Sequence, residues 1–163
     1  MRLANNLAMD RKIVDVVYFT SPTDQMTDAA NYQNQQRFFA ALKDSGVTLK
    51  LGKLVRRHLR CKDCEDEPLC CKRCGTAQTI KIEKSVDVQI VVDMIVGAMN
   101  DLFDVVYLAS CDSDLIPAIS HIRGLGKSVF MLLPHGAKGY AVSRACNTTI
   151  PITQDKIFAA QSV

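Results

Sequence analysis

Apolar residues recur along the chain at two different spacings, which divide its first third into a strand, a helix and a second strand. The β-branched and aromatic run Lys12–Thr20 predicts a strand. The segment after it, up to Asp44, has apolar residues near helical spacing, and Gly46 suits the position just past a helix end. Val47–Leu51 alternates apolar and polar residues, as a half-buried strand does.

Strands and helices continue to alternate towards the end of the chain. The basic run Lys53–Arg60 and the segment "TIKIEK" predict strands on either side of a cysteine-rich insert, residues 61–75. Val86–Asn100 is apolar almost all round, so we expect a helix that packs on more than one side. The order predicts an α/β fold in which a mostly parallel sheet is covered by helices on both faces. The remaining predicted elements are strands at Asp104–Ala109, Ser128–Leu133 and "TIPIT", a helix up to about Arg123, and a weaker helix before the last strand.

Composition favours a single folded domain, residues 1–163. Of the 163 residues 48% are apolar, no segment has low complexity, and the net charge of +3 only weakly favours an acidic partner. No apolar stretch reaches the roughly 20 residues that span a bilayer, and the N-terminus has no apolar signal-peptide region, so we expect no membrane contact. The seven cysteines are an odd number, which suits a reducing compartment, and we expect a cytoplasmic protein.

The insert "CKDCEDEPLCCKRC" contains two Cys-x-x-Cys pairs, and their four thiolates match the ligand number of tetrahedral zinc. The predicted ligands of this structural zinc are Cys61, Cys64, Cys71 and Cys74. Cys70 is an alternative to Cys71, and a reduced or disulfide-linked surface hairpin is the alternative to a zinc knuckle. Cys111 and Cys146 lie among apolar neighbours, and we interpret them as core residues.

A basic run, "KLVRRHLR", precedes the insert. The period of two in a strand places Arg56, His58 and Arg60 on one face. Cations beside a zinc knuckle can follow a phosphate backbone, which makes Arg56, Arg57 and Arg60 candidates for RNA contact. The alternative is a solvated edge strand whose charges prevent aggregation between sheets.

The segment "SCDSD" places two carboxylates directly after the strand Asp104–Ala109, at the end of the strands where open α/β sheets bind ligands. Because proline is tolerated only in the first turn of a helix, Pro117 predicts a helix capped at Asp114 or later. Asp112 then stays in the loop without a capping role, which makes it the stronger functional candidate. Carboxylate oxygens suit Mg²⁺ or Mn²⁺, which would also neutralise the repulsion within the pair.

Asp87 lies in the first turn of the helix Val86–Asn100, where a carboxylate interacts favourably with the helix dipole. That interaction alone would explain its presence. Acidic residues at two helix starts of one parallel sheet can also converge on one cation, so the predicted metal site comprises Asp87, Asp112 and Asp114.

The runs "EKSVDVQIVVDMI" and "DVVYLASCDSDLIPAISHIRGLGKSV" resemble the second half of NYN domains of the LabA-like type, a branch of the PIN-like nucleases. The segment "NQQRFFAALKDSGVTLKLGKL" is similar to the helix and strand before it, and the resemblance extends from about Val14 to Ile152. It implies a Rossmann-like (PIN-like) fold with an acidic Mg²⁺ or Mn²⁺ site and with cleavage or binding of RNA. Asp87, Asp112 and Asp114 fall on acidic positions of that site.

The chain departs from the family pattern at its start. The family opens with a strand that ends in an Asp-x-x-Asn-like motif, and we expect this chain to begin inside the first helix, as an N-terminally incomplete domain. The resemblance implies a metal-dependent ribonuclease that hydrolyses phosphodiesters. The alternative is a non-catalytic RNA-binding or regulatory module that lacks the first metal-site aspartate. RNA is the expected partner, and a homo-oligomer is compatible with the sequence.

Overall fold

A computed structural model describes residues 2–8, 10–25, 28–60, 69–70, 72–73 and 75–161, along which helices alternate with strands. The helices are α1 (Arg2–Ala8), α2 (Ala29–Asp44), α3 (Val86–Met99), α4 (Ile116–Gly124), α5 (Tyr140–Ala145) and α6 (Gln154–Gln161). The strands are β1 (Val17–Thr20), β2 (Thr48–Leu51), β3 (Lys53–His58), β4 (Thr79–Lys84), β5 (Val105–Leu108), β6 (Ser128–Pro134) and β7 (Thr148–Ile152). A 3-10 turn, Ser113–Leu115, joins β5 to α4. Within these ranges every helix is too short or too polar to cross a lipid bilayer.

The described strands form two parallel sheets and an antiparallel hairpin. β1 and β2 pair in parallel, from Val17 opposite Thr48 to Thr20 opposite Leu51. The second parallel sheet has the order β5-β6-β7, and β3 pairs antiparallel with β4. The predicted mixed α/β class with parallel strands and helices is therefore confirmed, and the described strands fall into separate parallel sheets.

Both parallel sheets contact α3. The start of α3 lies close to the end of β2, as Gly52 shows: a methyl group placed on it would lie 2.7 Å from Val86 Cγ2. α3 packs against β1 and also against the 3-10 turn that follows β5. β5 follows the C-terminal end of α3 along the chain, and β2 ends beside the start of α3. Among the described strands, β1 pairs only with β2 and β5 only with β6.

The main hydrophobic core lies where α3, α4 and α5 meet the second parallel sheet. Leu115, Ile119 and Ile122 recur at helical spacing and are completely buried in it. Cys146 belongs to the same core, Cys111 packs against it, and burial raises the pKa of the Cys146 thiol. The interpretation of these two cysteines as core residues is confirmed.

The third helix packs on more than one side and leaves one stripe exposed. Met94 and Ala98 enter the core from α3, and the helix also contacts β1, as expected from its apolar sequence. Val88, Val92 and Val96 lie on the side that is exposed.

Candidate active site and RNA-binding cleft

The acidic segment after β5 bends directly into the 3-10 turn. Asp112 has an extended backbone, and its carboxylate Oδ1 accepts a hydrogen bond of 2.9 Å from the Asp114 N–H. The Asp112 N–H in turn donates to Ser110 Oγ at 3.2 Å. Asp112 is therefore the N-cap of the 3-10 turn, and α4 begins after this turn with Leu115 at its own N-cap.

This geometry reverses the predicted roles of the two aspartates. The cap of α4 at Leu115 agrees with the prediction of Asp114 or later, but the capping carboxylate is Asp112, and Asp114 lies exposed inside the 3-10 turn. Pro117 lies in the first turn of α4, as predicted. The additional 3-10 turn shifts the capping carboxylate two residues towards the N-terminus, so the prediction that Asp112 has no cap to lose is wrong.

We therefore expect Asp112→Ala to lower the free energy of unfolding by about 1 kcal/mol, the usual loss when a capping carboxylate is removed. Asp112→Asn should lose little, because asparagine is also a good N-cap. Asp114→Ala is the matched control and should change stability little, since the Asp114 side chain is exposed. Urea unfolding of the three variants checks this order, and an equal loss in Asp114→Ala would contradict the assigned cap.

The third predicted carboxylate, Asp87, is exposed in the first turn of α3. Within the described ranges, no three His, Cys, Asp or Glu side chains form a group that could hold a metal ion. The structure thus brings Asp112 and Asp114 together on one turn and does not add Asp87 as a third ligand. Two neighbouring carboxylates still suit Mg²⁺, which usually keeps several water ligands and takes one or two carboxylates from a protein.

The predicted zinc site, Cys61, Cys64, Cys71 and Cys74, lies outside the described residues. Its alternative ligand, Cys70, is described: it is exposed and forms an isolated antiparallel bridge with Ala77. The zinc knuckle stays a prediction.

The hairpin of β3 and β4 carries the candidate RNA-binding arginines on two opposite faces. Its register places Arg56 directly opposite Lys81. Because neighbouring strand residues point to opposite faces, Arg57 projects away from the Arg56 side. Arg60 lies two residues beyond the end of β3. Arg56 forms an ion pair with Asp24, which follows β1, so the Arg56 face of the hairpin lies over the end of β1.

A cleft of about 420 Å³ separates this hairpin face from the segment after β1. The charged residues that line it are Lys53, Arg56, Lys81 and Asp24, and strand alternation directs the Arg56 and Lys81 side chains towards it. Three cationic residues against one carboxylate make the cleft positive, and such a cleft concentrates anions. Sequence reasoning missed Lys81, because the register between two strands decides which cations share a site.

The chain matches a known protein family over most of its length. The profile of the NYN domain family matches residues 2–153. The chain belongs to the NYN domain family. NYN domains are generally nuclease-like and RNA-related, so the resemblance drawn from the sequence is confirmed at the level of the family.

This NYN domain is also similar to one solved structure of unknown function. The crystal structure of VPA0982 from Vibrio parahaemolyticus RIMD 2210633 matches with a TM-score of 0.59 and 19% sequence identity, over 90% of this chain and 74% of that chain. At this identity the likeness shows a shared fold alone. No curated protein matches the chain.

Proposed function

We propose that this NYN domain is a metal-dependent, ribonuclease-like protein of the LabA-like type that binds RNA in the cleft beneath the hairpin. The observation that carries the proposal is the positive lining of this cleft at the carboxyl end of a parallel strand. Open α/β sheets bind ligands at that end of their strands, and lysine and arginine there attract phosphates. The acidic turn follows the carboxyl end of β5, the equivalent end of a strand in the second parallel sheet.

Asp112 and Asp114 are the proposed ligands of Mg²⁺ or Mn²⁺, with Asp87 as an outer carboxylate that orients water. A divalent cation, when bound, activates water and stabilises the leaving oxygen in phosphodiester hydrolysis. The cap leaves Asp112 Oδ2 for the cation, since Oδ1 accepts the Asp114 N–H. The cations of the cleft hold the RNA backbone.

A second candidate is a non-catalytic RNA-binding or regulatory module. It is favoured by the lack of a three-ligand acidic group within the described residues. Among the described strands, β1 and β5 each keep one edge without a partner, and a further parallel strand at that edge would add a third carboxylate in the ribonuclease.

RNA binding is tested by Arg56→Ala combined with Lys81→Ala. We expect weaker binding for all RNA sequences alike, and a salt dependence whose logarithmic slope falls by about two, because each lost phosphate contact removes about one. Fluorescence anisotropy of a labelled single-stranded RNA at about 50 to 200 mM salt measures both.

Arg57→Ala is the matched control, because it removes the same charge from the same strand on the opposite face. We expect the RNA affinity of this variant to stay close to that of the parent. An equal loss of RNA affinity in Arg57→Ala would contradict RNA binding in the cleft and assign it to the hairpin as a whole.

The same labelled RNA separates the two candidate functions. Cleavage that requires Mn²⁺ and is lost in Asp112→Asn, while RNA affinity is unchanged, would support the ribonuclease. RNA binding without cleavage by the parent would support the non-catalytic module. If the parent does not bind RNA, both candidates are wrong.

We also propose that Cys61, Cys64, Cys71 and Cys74 hold one structural zinc ion. Elemental analysis of protein purified without added metal is expected to find one zinc per chain. A zinc content near zero, with all cysteine thiols open to titration, would exclude the site.

A further inference from the structure

The outer side of α3 presents an apolar stripe to solvent. Val88, Val92, Val96 and Met99 follow one another at helical spacing and are 65%, 50%, 47% and 67% exposed. A surface helix normally turns such side chains towards the core, and contiguous exposed apolar patches mark interaction sites. We call these four residues the α3 stripe.

Acidic side chains border the α3 stripe at both ends. Asp87 is exposed beside Val88 in the first turn of the helix. Beyond the last turn, the side chains of Asp101 and Asp104 are highly exposed and share one largely covered cation, Lys127. The stripe is therefore apolar along its length and negative at its ends.

The hairpin carries a surface of the opposite charge. On the face of the strand pair opposite Arg56, the register aligns Lys53 with Lys84, Val55 with Ile82 and Arg57 with Ile80. We call these six residues the outer hairpin face. Lys53 and Val55, near the start of β3, also border the cleft. Three apolar side chains lie between three cations, and Val55 and Ile80 are exposed. Lysines directly opposite each other destabilise a strand pair, and a negative partner surface removes that repulsion.

We propose that two copies of this chain form a symmetric dimer in which the outer hairpin face of each packs on the α3 stripe of the other. The apolar centres meet, and the basic rim of the hairpin meets the acidic ends of the helix. The lengths agree, since the six residues of β3 span about 20 Å and the 14 residues of α3 about 21 Å. Because each copy supplies both surfaces, the contact closes as a two-fold pair.

Charge distinguishes this arrangement from direct packing of one α3 on another. Two antiparallel copies of α3 would place Asp87 of one beside Asp101 of the other, and like charges repel. When the hairpin of one copy packs on α3 of the other, cations of the hairpin lie beside the aspartates at the ends of α3. Two contacts, each about 20 Å by 10 Å, bury roughly 800 Å² in total over both copies, the size of a weak, transient interface. We therefore expect a weak dimer whose population depends on concentration.

Light scattering coupled to size-exclusion chromatography, at about 1 to 100 µM protein, is expected to show the parent chain shifting from monomer to dimer. A helix variant (Val92→Asp with Val96→Asp) and a hairpin variant (Arg57→Glu with Lys84→Glu) should each remain monomeric. Val14→Asp is the matched control, because Val14 is equally exposed and lies outside both surfaces. It should dimerise like the parent. Circular dichroism checks that the four substituted side chains leave the fold intact.

Mixing the two variants gives the decisive result. The helix variant keeps an intact outer hairpin face, and the hairpin variant keeps an intact α3 stripe. In a mixture, these two intact surfaces can pack on each other, so one of the two contacts of the proposed dimer is regained. A mixed dimer, weaker than the parent dimer, is the expected outcome. A parent that stays monomeric over the whole range overturns the proposal. A hairpin variant that dimerises as the parent does also overturns the proposal, and would show that α3 packs on α3.

Discussion

Leu115→Ala is expected to lower the free energy of unfolding by about 2–5 kcal/mol, the usual range for a leucine removed from a packed core. Leu115 is completely buried and belongs to the main hydrophobic cluster. Its N–H also donates to the carbonyl oxygen of Asp112 at 3.3 Å, so the same residue ties the acidic turn to the core. We therefore expect the variant to lose divalent-cation-dependent activity of the acidic turn as well as stability.

Urea unfolding measures the loss of stability, and Leu125→Ala is the matched control. Leu125 caps the end of α4 and is exposed, so its truncation should cost far less. Similar losses in the two variants would show that the core does not close over Leu115 as described.

Gly52→Ala is expected to destabilise the protein by about 1–3 kcal/mol, through overpacking at the junction of three elements. A methyl group on Gly52 would lie 2.6 Å from the Lys84 carbonyl oxygen, 2.7 Å from Val86 Cγ2 and 2.8 Å from Ser21 Oγ. The closest of these atoms belongs to the backbone, which cannot rotate away as the end of a side chain does. The hairpin, the end of β1 and the start of α3 would have to separate, and the RNA cleft between them would widen.

Gly124→Ala is the control for the glycine variant. Gly124 lies in the last turn of α4, and a methyl group there would meet no atom within 4 Å. Alanine is the better helix former, so this variant should be neutral or slightly more stable. Thermal unfolding of both variants tests the contrast, and a loss of RNA affinity confined to Gly52→Ala is expected beside it. If Gly52→Ala is as stable as the parent, the close approach at the junction is wrong.

The sequence predicts most secondary-structure elements because their signals are local. Gly46 shows this clearly: it follows α2 with φ of 81°, the left-handed conformation that its position just past a helix requires. β4 occupies the predicted segment "TIKIEK". β1 begins at Val17 rather than Lys12, because β2 offers only four partner residues. The length of the partner strand cannot be predicted from the residues of β1 alone.

The candidate site was harder to predict, because its geometry depends on contacts between segments. The spacing of Pro117 correctly indicated where α4 begins, but it gave no sign of the 3-10 turn that makes Asp112 the cap. The period of two correctly separated Arg56 from Arg57. It did not reveal that Lys81 on the neighbouring strand joins the Arg56 side, because only the pairing register decides that.

The uneven distribution of buried side chains has a consequence for how the molecule opens. The main cluster draws its members from residues 94–146, and β1 and β2 contribute none of them. Proteins open in cooperative units, and units with few buried contacts open first. We therefore expect β1, α2 and β2 to exchange their amide hydrogens through openings that leave the second parallel sheet closed. The proposed RNA cleft lies at the end of β1, so bound RNA would hold the less stable half of the protein shut and slow its exchange most.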